Sequence, residues 1–117
     1  MESHLKNVCR SSEIIGKPVI NLENENLGKI EDIILDKISG QAKYVILSCG
    51  GFLGFGDKFF AVPWAAINYD VIVTGFRLNV DKIQFASAPC FNKDEWSNFI
   101  ATDFDKAITD FYKKTIS

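Results

Sequence analysis

The residues with chemical potential cluster in one stretch, Cys49 to Trp64, which reads CGGFLGFGDKFFAVPW. It holds four glycines, four phenylalanines and the pair Asp57-Lys58. Glycine-rich loops cradle phosphates when a lysine reaches the anion and a hydroxyl holds magnesium, which requires GxxxxGK followed by Ser or Thr. Gly51 and Gly56 have that spacing, but Asp57 stands at the lysine position and repels an anion. Lys58 is followed by Phe59, not by a hydroxyl residue. A dinucleotide loop needs GxGxxG opening a helix. Here the order is GxxGxG, and a strand-like run follows. Both nucleotide readings fail on chemistry and on context.

Other constellations are thinner. Glu31, Asp32 and Asp36 are acidic neighbours on one extended segment, but no histidine or further ligand stands near them, so a solvated face is expected. His4 is the sole histidine and lies in a polar leader, so Ser11, Ser12 and Ser48 have no triad partner. Cys9, Cys49 and Cys90 are an odd, widely spaced set that forms neither a disulfide framework nor a CxxC metal site. Cys49 ends an apolar run and reads as a small buried hydrophobe. Cys90 follows Pro89 in a connection and is the more reachable thiol. No catalytic, cofactor or metal residue is expected. Trp64, Trp96 and Tyr112 could border a small-ligand site between the sheet and the C-terminal helices.

The elements that position these residues follow from local pattern. Residues 1–10 read as a flexible leader. Ser11 or Ser12 can cap a short helical turn that Gly16 ends. Val19–Leu22 and Leu27–Asp36 read as strands about a polar turn, with a bulge expected within Lys29–Ile34 where alternation breaks. Ile38–Gln41 is a turn. Lys43–Cys49 is a β-branched central strand, and Lys58–Pro63 returns after the glycine loop, so the glycines join a hairpin. Trp64–Ile67 is a short link. Val71–Thr74 and Phe76–Val80 read as strands around Gly75, with Ile83 and Phe85 continuing the last. Such short strands with turns every 8–12 residues imply a mainly β chain, a small antiparallel barrel of about six strands.

Two helices should follow the barrel. Asn92-Lys93-Asp94-Glu95 fits a capping box, with Trp96, Phe99 and Ile100 on one face. Phe104, Ala107, Ile108 and Phe111 recur at i, i+3, i+4 and i+7, an amphipathic stripe. The expected division is a leader over 1–10, a barrel over 11–88 and a helical segment over 89–117 that packs on it.

Composition limits function. The chain has 117 residues, 47% hydrophobic and 24% charged, with a net charge of −2. That size suits one domain. Nucleic-acid binding calls for a basic field, which is missing here. No apolar run approaches the ~20 residues of a membrane span, and the thiols suit a reducing, cytoplasmic setting.

Three segments together resemble the PRC-barrel family: Gly16-Lys17-Pro18-Val19 through Leu27-Gly28-Lys29-Ile30-Glu31-Asp32; Gly51-Phe52-Leu53-Gly54-Phe55-Gly56-Asp57-Lys58; and Ala61-Val62-Pro63-Trp64. The likeness covers about residues 12–85, and the tail is similar to that of free-standing bacterial members. It implies a non-catalytic β-barrel used as a protein-interaction or adaptor module. Phe52, Leu53, Phe55, Asp57, Lys58 and Trp64 form its candidate interaction loop, with a homodimer as the simplest assembly. A small-ligand-binding domain is the alternative. An RNA- or ribosome-linked adaptor follows from the family alone, and the net charge disfavours it.

Overall fold

The computed structural model describes residues 7–49, 58–92, 94–95 and 104–116. Helix α1 (Ser11–Ile14) is one turn and leads through Gly16 into strand β1 (Pro18–Ile20). Gly16 takes φ +93°, and its N–H donates to the Ile30 carbonyl at 2.7 Å. The left-handed backbone that ends the helix thus also fixes the chain against the next strand. That strand is β2 (Asn26–Leu35), followed by β3 (Ala42–Ser48) and β4 (Lys58–Pro63). These three form an antiparallel meander. Register slips between Ile30 and Asp32, so Glu31 is the extra residue of the bulge that the broken alternation predicts.

A 3-10 turn (Trp64–Ala66) then leads to β5 (Ile67–Asp70) and β6 (Gly75–Leu78), which form a hairpin. Helix α2 (Lys82–Phe85), β7 (Cys90–Asn92) and helix α3 (Phe104–Ile116) complete the described chain. The strands make one seven-stranded sheet in the order β5-β6-β1-β2-β3-β4-β7. The mainly β class stands, with two differences from the expected barrel. The β1–β6 pairing is parallel, because β6 returns by a crossover. The terminal strands β5 and β7 do not pair with each other among the described residues, so the sheet is not closed.

Three local expectations are corrected. Val71–Thr74 is the hairpin turn, and its strand is the preceding Ile67–Asp70. The β-branched run loses to turn chemistry: Asp70 Oδ1 accepts from the Ile72 N–H at 2.9 Å, and Thr74 takes φ +52°. Ile83 and Phe85 belong to helix α2, which Asp81 caps by accepting from the Gln84 N–H at 2.9 Å. Pro89-Cys90 is not a free connection, since Cys90–Asn92 pairs with Lys58–Phe60 as an edge strand.

The core gathers Val19, Leu27, Ile30, Val45, Leu47, Phe60, Val62, Leu78 and Phe85, all fully buried. Phe60 stacks on Phe85 at 4.5 Å between ring centroids. Burial of each such side chain contributes about 1.5–3 kcal/mol. Helix α3 lies against β4 and the Trp64–Ala66 turn, burying Ile108 and Tyr112 completely, with Phe104 and Phe111 half-buried beside them. Ala107, expected on that stripe, is exposed, and Tyr112 takes the inward place. The predicted helix at 96–100 lies outside the described residues. Glu95 Oε1 accepts from the Asn92 N–H at 2.9 Å, the reciprocal bond of a capping box.

Gly28 explains the Leu-Gly-x-Ile motif physically. It takes φ +136°, and a Cβ there would stand 2.7 Å from the Ser48 carbonyl oxygen. Only glycine lets β2 approach the end of β3 this closely.

Candidate functional site

The glycine–phenylalanine loop is the first candidate that sequence offers. Phe52, Leu53, Phe55 and Asp57 lie outside the described residues. Lys58 opens β4, half-buried and paired with Asn92. Trp64 begins the 3-10 turn, half-buried, with its ring centroid 6.1 Å from that of Phe76. It also borders a cleft of about 290 Å³ with Asp36, Gln41, Lys43 and Pro63.

The acidic cluster does not assemble. Asp36 Oδ1 accepts from the Ile38 and Ser39 N–H groups at 2.8 and 3.2 Å, so it shapes the β2–β3 turn. Those backbone bonds hold its carboxyl below the usual range. Asp32 Oδ1 accepts from the adjacent Ile33 N–H at 2.8 Å. Among the described residues no group of three metal-ligating side chains converges.

The thiols behave as their positions dictate. Cys9 is exposed, Cys90 half-buried, and Cys49 buried with its Sγ donating to the Leu27 carbonyl at 3.2 Å. Burial, then the Cys90 sulfur, pushes the Cys49 pKa up to about 11. Leu47 and Cys90 both face Phe60 across β4, so the sheet sets Cys49 and Cys90 two strand spacings apart. That separation is about 9–10 Å or more, too far for a disulfide without backbone movement. Tyr112 is fully buried, its hydroxyl has no hydrogen-bond partner among the described residues, and burial raises its pKa well beyond the ordinary range. Tyr112 does not line either cleft. A cleft of about 320 Å³ lies between α3 and the segment after β6, bordered by Asn79, Val80, Gln84, Asp110, Phe111 and Lys113.

Sequence reasoning missed the surface feature with, among the described residues, the most exposed apolar side chains in a row. At the β5–β6 tip, Val71, Ile72 and Val73 are 75%, 88% and 37% exposed. The tip is held, not frayed. Arg77 Nε donates to Asp70 Oδ2 at 2.6 Å and Arg77 Nη1 to the Asn21 carbonyl at 2.7 Å, while Asp70 Oδ1 receives the Ile72 N–H. Asn21 is itself fully buried and bonded, accepting from the Glu23 and Glu25 N–H groups and donating to Glu25 Oε1. The bond from Arg77 pushes the Asp70 carboxyl pKa down, with the turn amides adding to the shift. The same VIVT run that reads as a strand is the signal that was available: apolar residues flanked by Asp and Thr-Gly are also a turn.

No helix among the described residues is long and apolar enough to cross a membrane. A comparison with curated proteins finds no match. The family model of the PRC-barrel domain matches residues 6–84, the span that carries the bulged β2, the Gly28 contact and the β5–β6 hairpin. With two thirds of its length matched, the chain belongs to the PRC-barrel domain family.

Proposed function

We propose that this chain is a non-catalytic protein-interaction module that works as an adaptor. The observation that carries the reading is the exposed Val71-Ile72-Val73 tip, fixed by Asp70 and Arg77. Exposed apolar side chains are ordinary when scattered, but a contiguous group on a rigid projection marks a contact surface. Presentation on a fixed hairpin lowers the ordering cost of binding. The glycine–phenylalanine stretch, with Phe52, Leu53 and Phe55 beside Asp57, Lys58 and Trp64, is a second contact region, supported by its sequence. The reading includes the cytoplasm as location, to which the free cysteines are suited.

The test is capture from native lysate by the intact chain, by Val71→Ser/Ile72→Ser and by Phe52→Ser/Phe55→Ser, each shown to melt like the wild type. The expected result is a protein captured by the wild type, bound again after purification, and lost with one variant pair. Identical capture by all three chains, or none, contradicts the reading.

The cleft between α3 and residues 79–84 favours one alternative, a small-ligand-binding domain. Its volume of about 320 Å³ is at the lower end of ordinary ligand pockets. Thermal stabilisation by a metabolite, abolished by Gln84→Ala, would support it. A flat metabolite screen would not.

A further inference from the structure

We propose that β5 pairs antiparallel with β5 of a second copy of this chain, with Tyr69 facing Tyr69 across a two-fold axis. The inference rests on the interaction reading and names one partner for it.

β5 ends the sheet, so its outer N–H and C=O groups face no strand among the described residues. Directly opposed residues share a face of an antiparallel pair. Ile67 therefore shares a face with Leu78, and Tyr69 with Phe76. Ile67, Leu78 and Phe76 are buried, whereas Tyr69 is 55% exposed. The core-facing side of the sheet thus runs on to its rim and stops with Tyr69 uncovered. The Phe76 ring shields only one side of it, at 5.3 Å.

The two rims of the sheet are not alike. At the far rim Glu95 takes the Asn92 N–H of β7, capping that short strand. Edge strands are commonly protected by lysine, proline or an unpaired charge. β5, Ile67-Asn68-Tyr69-Asp70, has no lysine or proline, and Arg77 of the same chain holds its Asp70. No unbalanced charge on the strand repels an identical strand.

Symmetry then limits the register. A two-fold axis perpendicular to a continuous sheet keeps every side chain on its own face. Opposed residues must share a face, so the residue at the axis meets its own copy. In β5 that residue is Asn68 or Tyr69. With Tyr69 at the axis, two aromatic rings pair on the apolar face and Asn68 lies opposite Asp70 of the second copy. This register also draws the exposed Val71 toward Ile67 of the second copy. The Asn68 register leaves Val71 bare.

So short a strand buries less than the ~1,200–2,000 Å² of a stable specific interface. The expected association is weak, with a Kd of about tens of micromolar.

Sedimentation velocity of the full chain over a concentration series tests the pairing. The wild type should shift from monomer to dimer as concentration rises. Tyr69→Lys, which sets like charges at the axis, should stay monomeric. Asn68→Lys, which sets a cation opposite Asp70, should still dimerise. Both positions are exposed, and thermal melts check that each variant folds. As an independent readout, Tyr69→Cys in a Cys9→Ser/Cys90→Ser background should cross-link into a dimer on oxidation. A wild type that stays monomeric, or a Tyr69→Lys chain that dimerises like it, overturns the pairing. If only Asn68→Lys loses the dimer, the Tyr69 register is overturned. A monomer that still captures a partner through Val71 and Ile72 leaves the interaction reading intact.

Discussion

Arg77 Nε donates to Asp70 Oδ2 at 2.6 Å, so the strand that leaves the hairpin tip holds the strand that enters it. The same guanidinium reaches the Asn21 carbonyl at 2.7 Å, tying the tip's hairpin to the β1–β2 turn. Arg77→Ala should lower the melting temperature by several degrees and loosen the tip, seen as faster amide exchange at residues 71–74. Arg77→Lys should rescue little, because a point charge cannot supply both bonds. Unchanged exchange in Arg77→Ala would show that the tip does not depend on the clamp.

The same pair sets a pH dependence. The Asp70 pKa is lowered in the folded state by the bond from Arg77. Its contribution is therefore complete above the ordinary value of 3.8 and is lost as pH falls through the lowered folded value. On acidification below 3.8 the wild type should lose more melting temperature than Asp70→Asn, which lacks that titration. Parallel losses would mean that the bond contributes nothing to stability.

Gly28→Ala should cost about 2–4 kcal/mol, because a Cβ 2.7 Å from the Ser48 oxygen forces β2 and β3 apart and the positive φ is strained as well. Gly40, also at positive φ but with open space around it, should cost less as alanine, about 1 kcal/mol. Urea titrations of both variants check the order.

Tyr112 combines a buried ring with a hydroxyl that has no partner among the described residues. Tyr112→Phe should be neutral or stabilising, by up to about 1–2 kcal/mol, since it removes an uncompensated polar group. Tyr112→Ala should cost about 3–5 kcal/mol and release α3 from the sheet. A destabilised Tyr112→Phe would mean that the hydroxyl is hydrogen-bonded in solution.

Cys49, with its pKa pushed up to about 11, should resist maleimide at neutral pH while Cys9 reacts at once and Cys90 more slowly. Mass spectrometry of the labelled native chain gives the order. Rapid modification of Cys49 would show that the β3 end opens in solution.

The sequence exposes the central meander because three signals coincide there. β-branched runs mark β3 and β4, Pro63 marks a strand end, and the broken alternation at Glu31 marks the bulge. The C-terminal third is harder to read because its strands are short and turn chemistry decides them. Val71–Thr74 has strong strand propensity, yet Asp70 and the positive φ at Thr74 turn the chain there. Asp81 followed by Gln84 was a legible helix start, outweighed by the apolar Ile83 and Phe85. The exposure of the tip and the open β5 rim could not be read from sequence, since both depend on where the sheet ends. Trp64 and Lys58 stand beside the β3–β4 hairpin, and their half-burial comes from Phe76 and β7, elements distant in sequence.

The central claim is that β5 and its tip form a contact edge between two copies of this chain. Amide hydrogen exchange of the intact chain at low and high concentration tests it directly. The account predicts slower exchange over Ile67–Asp70 and residues 71–74 in the concentrated sample, with β3 unchanged. Equal exchange along β5 at both concentrations would contradict it.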